Sequence, residues 1–329
     1  MPSPLLQMRG LHLKFDLFEG RSHVLNGVDL SIKKGERVAI VGESGCGKST
    51  AIRAILGLLR GRNVHLSGSI LFGGNELIDN KSRKLWGDIR GRRISMIFQD
   101  PTAALNPVFT VKDQMTNVII RGGKVRSRKA ALNIARDALK RVAIADPDRI
   151  LNTYPFQLSG GLAQRVMITM ALINRPELVL ADEPGSALDV TVQEQTLHLM
   201  SDLTQEDGAA VLIITHNLGV VREFAQRVYV MYAGSIVEEA GVEELFNNPA
   251  HPYTRALIDA VPKLTGGDLP KTIEGVVPDY TNPPTGCRFH TRCSFAQDAC
   301  REDQHMTDLG HGHRVACVLH NNINRLSVK

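Results

Sequence analysis

The sequence predicts an α/β fold organised around a strand, a glycine-rich loop and a helix. Three observations carry this. The apolar run Arg37–Val41 enters a loop holding Gly42, Gly45 and Gly47, and a helix-forming stretch follows from Lys48 to about Leu59. Further apolar runs at Ile94–Phe98, Leu178–Ala181 and Val211–Thr215 have the length of buried strands. Between them, from about Val111 to Leu151, the chain is richer in Ala, Lys and Arg and reads as a mostly helical insertion between the two halves of the core. After about Gly241 the texture changes: Asn247–Pro284 is crowded with prolines and glycines, which suits loops and a short helix. No internal repeat or low-complexity tract interrupts this plan.

At 329 residues, length alone suggests about two domains. With 43% hydrophobic and 22% charged residues, there is ample apolar material for a core. The net charge of +5 is dispersed, apart from short runs at Arg83–Lys84 and Arg90–Arg93, and reads as solvated surface, with phosphate-rich ligands or a membrane face as the alternatives. No stretch approaches the ~18 apolar residues of a membrane span, and Met1–Gly10 lacks the apolar core of a secretory signal. The expectation is a cytosolic chain whose membrane role, if any, needs a spanning partner.

Gly42–Ser49 reads GESGCGKS and matches G-x-x-x-x-G-K-[ST]. Such glycines let backbone N–H groups converge on phosphates at a helix N-terminus. The contact set is Gly42, Ser44, Gly45, Cys46, Gly47, Lys48, Ser49 and Thr50, with Lys48 reaching the β/γ-phosphates and Ser49 ligating Mg²⁺. A chance glycine turn is the competing reading, and the flanking strand and helix oppose it. Leu178–Glu183 (LVLADE) is an apolar strand ending in two carboxylates. Asp182 is placed to hold Mg²⁺ and Glu183 to polarise an attacking water; a surface acidic pair is the bland alternative. Leu158–Gly161 (LSGG) opens an apolar helix, so Ser159, Gly160 and Gly161 form either an anion site or a simple N-cap. These motifs together read as Mg-ATP binding and hydrolysis.

The P-loop, Gln99 after a strand, LSGG, LADE, Ser186–Asp189 (SALD) and His216 occur in that order, and the set resembles the ATP-binding cassette (ABC) ATPases over roughly residues 5–245. The resemblance implies a RecA-like P-loop core with an antiparallel β subdomain and a helical insertion at about 106–170. It implies that Gln99 senses the γ-phosphate and Mg²⁺ and faces the membrane subunit. Ser159, Gly160 and Gly161 would contact the nucleotide on the other subunit's P-loop, Asp189 would bridge the subunits, and His216 would hydrogen-bond the γ-phosphate. Phe15 aligns with the aromatic that stacks on adenine, although Phe18 also fits the spacing. Asn217 and Gly185 stand where the family more often has Asp and Thr.

Two features narrow the branch: QDPTAALNP at Gln99–Pro107, and a tail with HPYT at His251–Thr254, IEGVVP at Ile273–Pro278 and GCRFHTRC at Gly286–Cys293. These resemble the ATPase subunits of bacterial dipeptide, oligopeptide and nickel importers, with Ser294 where the family commonly has Pro. The resemblance implies residues 1–245 as the ATPase domain and 246–329 as the extension. It also implies a peripheral place on the cytoplasmic side of the inner membrane. The partners would be a second cassette (a homologous but different chain, with a further copy of this chain as the alternative), two permease subunits and an extracytoplasmic solute-binding protein, with no nucleic acid among them. Peptides lead as cargo; nickel or a metal chelate is the alternative. A DNA-repair or chromosome ATPase would need long coiled-coil arms between P-loop and LSGG, and no sustained heptads occur there. A translation-associated protein would carry two cassettes.

Of five cysteines, Cys46 lies inside the P-loop and Cys287, Cys293, Cys300 and Cys317 crowd the tail as C-x₅-C-x₆-C-x₁₆-C. In a reducing compartment such crowding favours metal over disulfides. Four thiolates suit an iron–sulfur cluster, and the tight C-x₂₋₄-C pair of structural zinc sites does not occur. Zinc with help from His290, His305, His311 or His313 stays open, as do disulfides or unliganded thiols. The resemblance implies a [4Fe–4S] cluster of structural role.

Overall fold

The computed structural model describes residues 3–78, 85–186, 189–261 and 272–321. Arg83–Lys84 and the Ala187–Leu188 pair of SALD lie outside the described residues. Along the chain, strands β1 (Leu6–Leu17), β2 (Gly20–Ile32) and β3 (Arg37–Val41) lead to helix α1 (Lys48–Ile55), then β4 (Val64–Phe72) and β5 (Asn75–Glu76). There follow α2 (Trp86–Ile89), β6 (Ile94–Ile97), α3 (Pro101–Ala104), α4 (Val111–Arg121), α5 (Arg128–Arg141), α6 (Pro147–Leu151) and α7 (Gly160–Leu172). Next come β7 (Leu178–Asp182), α8 (Val190–Glu206), β8 (Ala210–Ile214), α9 (Leu218–Phe224), β9 (Arg227–Tyr232), β10 (Ser235–Gly241), α10 (Val242–Asn247) and α11 (Pro252–Asp259). The chain closes with β11 (Thr307–Gly310) and β12 (His313–Val315).

These elements form two compact units, residues 1–32, 38–79 and 214–329 in the first and 33–37 and 80–213 in the second. In the first unit, β2, β1, β4 and β5 make an antiparallel sheet in that order. Its pattern is the alternation of a one-sided sheet: Leu6, Met8, Leu11 and Leu13 of β1 are buried while neighbours between them are not. This is the antiparallel subdomain that the family resemblance implies. β3, by contrast, is apolar and buried from Val38 to Val41 and pairs in parallel with β9, as a strand covered on both faces should. β9 pairs antiparallel with β10, β10 with β12, and β12 with β11. In the second unit β6 and β7 are parallel neighbours, and β8 lies beside β7.

The structure redraws several boundaries. The helix after the P-loop ends at Ile55 rather than near Leu59, because Gly57 turns to φ +59° and its N–H closes on Ala54 O. The helical region 111–151 is three helices: Gly122–Gly123 ends α4, and Asp146 caps α6 with Pro147 at its first position. Strands β11 and β12 carry no alternating apolar signature long enough to announce them; they form because β10 offers an edge.

Candidate nucleotide site and cysteine centre

In the first unit, β3 delivers the chain to the P-loop and α1 receives it. Gly42 sits at φ +152°, and a Cβ there would lie 2.1 Å from Met231 O, so no other residue fits. Gly47 caps α1 at φ +106°. Lys48 is buried, and its Nζ donates to Gly42 O at 2.7 Å and Glu43 O at 2.9 Å. Carbonyl dipoles hold the ammonium without neutralising it, so its charge remains for a phosphate. The loop therefore fits a polyphosphate with its metal. Cys46 is buried in the loop, and burial raises its thiol pKa. Phe15 lies half-buried on β1, and Phe18 stands fully exposed at the β1–β2 turn. His216 is exposed just beyond β8. The Asn217 side chain next to it accepts from Gly219 N at 2.9 Å and Val220 N at 3.4 Å, so it supplies the cap an Asp would supply to α9.

In the second unit, β7 ends in buried Asp182, and Glu183 follows at φ +46°, a left-handed conformation that non-glycine residues seldom hold. Gln99 Nε2 donates to Glu183 Oε2 at 3.2 Å, so two of the predicted catalytic groups meet. Ser159 caps α7 through Leu162 N at 3.4 Å, with Gly160 and Gly161 in the first turn. A Cβ on Gly161 would stand 3.4 Å from Val192 Cγ1. Asp189 caps α8 through Val192 N at 3.0 Å. Gly185 sits at φ +86°, which explains glycine at the position where the family more often has Thr.

The four tail cysteines come together around one small cavity, joined by His251, His290 and Gln304. All are unbridged. No three of their sulfurs lie within 4.8 Å of one another. A tetrahedral zinc, with Zn–S about 2.3 Å, would draw four sulfurs to roughly 3.8 Å separations, so these thiols stand wider than a zinc site. His305, His311 and His313 do not line the cavity, and His313 is instead engaged by Glu238 at 2.7 Å. Burial raises Cys287 to about 11 and pushes Cys293 and Cys317 upward. Burial keeps such thiols protonated in the absence of a ligand; a bound cation would displace their protons to solvent and stabilise the thiolates. Phe295 N and Gln297 N point at Cys293 and Cys300 sulfurs, each at 3.4 Å, and His251 Nε2 lies 3.9 Å from Cys287 Sγ. His251 caps α11 by accepting from Tyr253 N at its other nitrogen, so its proton sits on the face toward sulfur. The HPYT motif was visible in the sequence, but nothing local told what its histidine faces.

Comparison with known proteins decides the family. Residues 25–186 match the ABC transporter model, and 237–300 match the model of the oligopeptide/dipeptide transporter C-terminal region. The dipeptide transport ATP-binding protein DppD of Bacillus subtilis is 43% identical over 319 residues, spanning 96% of this chain and 94% of that protein. The chain belongs to the ABC transporter ATPases, in their oligopeptide/dipeptide branch. The oligopeptide transport ATP-binding protein AppD of the same organism is 43% identical over 326 residues, 97% of each. Among solved structures, the dimeric ATP-binding cassette MJ0796 in a post-hydrolysis state bound to ADP and Pi is similar at TM-score 0.62 and 30% identity. That match covers 72% of this chain and 98% of that one. The ABC cassette fold thus accounts for the P-loop and LSGG elements, and the branch-specific region for much of the tail.

Proposed function

We propose that this chain is the ATP-hydrolysing motor of a peptide importer. The observation that carries the reading is the coexistence, in one chain, of a complete ABC motif set and the oligopeptide/dipeptide C-terminal region. Lys48 and the P-loop amides hold the phosphates, and Ser49, Asp182 and Gln99 hold Mg²⁺, whose charge offsets that of the β- and γ-phosphates. Glu183 orients and deprotonates the attacking water, and His216 steadies the γ-phosphate. Ser159, Gly160 and Gly161 reach the nucleotide of a second cassette, a homologous but different chain, and Asp189 supports that contact. Phe15 stacks on adenine.

Among the described residues no helix is long and apolar enough to cross a membrane, so movement of solute belongs to two permease subunits on whose cytoplasmic face this chain docks. Exposed Phe98, Val108, Phe109 and Phe156 in the second unit support a docking role, since large apolar side chains in solvent mark contact surfaces. A solute-binding protein outside the membrane supplies the cargo. Cys287, Cys293, Cys300 and Cys317 hold an iron–sulfur cluster, [4Fe–4S] being the form that four thiolates commonly ligate; bound there, it would tie the apolar-poor tail together. Purification with the permease subunits, followed by ATPase measurement with the binding protein and a panel of di- and oligopeptides, tests the function. Stimulation by a nickel chelate and by no peptide would overturn the cargo assignment. Anaerobic iron, sulfide and zinc analysis tests the centre, and stoichiometric zinc without iron would overturn it.

A further inference from the structure

The tail's two sequence blocks, IEGVVP and GCRFHTRC, converge on one guanidinium. Arg292 Nε donates to Glu274 O at 2.8 Å, and Nη2 donates to Ile273 O at 3.1 Å. Its remaining N–H groups go to Glu43 Oε2 at 2.7 Å, Glu43 Oε1 at 3.1 Å and Tyr232 OH at 3.2 Å. All five donors of the fork are used, and the Arg292 side chain is only 4% exposed. Glu43 is the second residue of the P-loop. Two further bonds reach the same loop from the tail: Glu43 N donates to Tyr253 OH at 2.8 Å, and Tyr280 OH donates to Gly45 O at 2.9 Å. Tyr253 packs with Tyr232 and Phe289 at ring separations of 4.7 and 5.3 Å, which fixes the hydroxyl in place.

We infer that Arg292, Tyr253 and Tyr280 are positioning residues for the P-loop, so that the extension is part of the nucleotide-binding machinery. The inference rests on the proposed ATPase reading. Two physical effects follow from the geometry. Left alone, the Glu43 carboxylate would repel a polyphosphate in the loop it belongs to; the bidentate Arg292 pair neutralises it and draws it aside. The tyrosines fix one N–H and one C=O of a loop whose glycines would otherwise leave it many conformations, so less entropy is lost when phosphates bind. Arg292 is also the chain neighbour of Cys293, and Tyr253 follows His251, which faces Cys287. The same short segments therefore shape the cysteine centre and the P-loop. Linkage makes the effect reciprocal: whatever orders the cysteine segment favours nucleotide, and nucleotide favours the ordered segment.

The test uses the full chain as purified, with Mg-ADP and Mg-ATPγS binding followed by calorimetry. Arg292→Gln is expected to weaken nucleotide about tenfold, the loss of a charge-assisted bidentate pair. Arg292→Lys should recover only part of it, because a point charge cannot match the fork. Adding Glu43→Gln to Arg292→Gln should restore most of the affinity, since it removes the carboxylate left unpaired; a merely structural arginine would give no such rescue. A second measurement needs no variant: saturating Mg-ADP should slow amide hydrogen exchange over residues 286–301 of the wild-type chain severalfold. Unchanged affinity in Arg292→Gln, or exchange there indifferent to nucleotide, would overturn the inference. Failure of the wild-type chain to bind nucleotide at all would instead overturn the ATPase reading.

Discussion

The P-loop and the cysteine loop hold charged groups by opposite means. The P-loop hangs between β3, whose last four residues are all buried, and α1, whose buried face includes Ala51, Ile52 and Ile55. Apolar burial on both sides fixes its ends, and glycines give the turn. The cysteine loop has short 3₁₀ turns at His290–Arg292, Asp298–Arg301 and Val318–His320, plus two strands of four and three residues. Its buried apolar anchors are few, chiefly Phe289 and Val315. In place of a core it uses long-range polar ties: Arg292 to Glu43, Arg288 to His23 O at 3.1 Å and to Ala233 O, and His313 to Glu238. A loop anchored by burial can be read from local sequence, whereas one anchored by distant polar partners cannot.

The largest effect should come from the cassette chemistry. Glu183→Gln is expected to cut turnover of the assembled transporter by more than about a hundredfold while leaving nucleotide bound, because it removes the proposed general base and little else. Lys48→Ala should instead weaken nucleotide binding itself. Normal turnover in Glu183→Gln would assign the base elsewhere. The contrast between the two loops sharpens if the iron content of both variants equals that of the wild type.

Loss of the proposed metal centre should break the extension before the core. Cys293→Ser, or prolonged chelation, is expected to lower amide protection over residues 286–321 by about tenfold or more. β3 and the body of α1 should keep theirs. Hydrogen exchange read by mass spectrometry reports both regions in one experiment. Equal loss in β3 would mean that the core depends on the centre as much as the tail does, and full iron in Cys293→Ser would remove that residue from the ligand set.

A smaller effect is expected where sheet and tail meet. The fully buried Glu238 carboxylate accepts from Ala250 N and His251 N, each at 2.8 Å, and pairs with His313 at 2.7 Å. One side chain on β10 thus orders the start of α11 and the neighbouring strand β12. Glu238→Ala leaves those donors buried without an acceptor and should cost about 2–4 kcal/mol in urea unfolding. A change under about 0.5 kcal/mol would show that water replaces the carboxylate.

Much of the core was legible because its strands are continuous apolar runs and its motifs sit at strand ends and helix starts, where one local rule applies. Lys48, Asp182, Glu183 and Ser159 stand at such termini. The tail gave its cysteines by count and spacing, but its folding logic was hidden. Arg292 looks like any arginine in sequence, and its acceptors lie at Glu43, Tyr232, Ile273 and Glu274. The short strands β11 and β12 depend on an edge offered by β10. Even α1 was overextended, since Gly57 ends it by a backbone turn that the apolar run Ile55–Leu56 conceals.

The mildest expected effect lies in the β4–β5 turn of the antiparallel sheet, where a polar tie works within an otherwise apolar scheme. The Glu76 carboxylate accepts from the Ser69 hydroxyl and from Ile70 N, Leu77 N and Ile78 N, the last three each at 3.0 Å. Partial burial pushes its pKa up, but the Ser69 hydroxyl and the three N–H groups outweigh it, and the net shift is below the ordinary glutamate value of 4.5. The folded chain therefore holds this proton less tightly than the unfolded chain does. Its contribution to stability is complete above about pH 4.5 and is lost as pH falls through the lowered folded value. Glu76→Gln should cost about 1 kcal/mol at pH 7, the scale of one or two hydrogen bonds at a half-exposed site. That difference from wild type should shrink on acidification below pH 4.5. Urea midpoints at pH 7, 5 and 3.5 read it directly, and a difference that stays constant down to pH 3.5 would show that the carboxylate's charge plays no part in holding the turn.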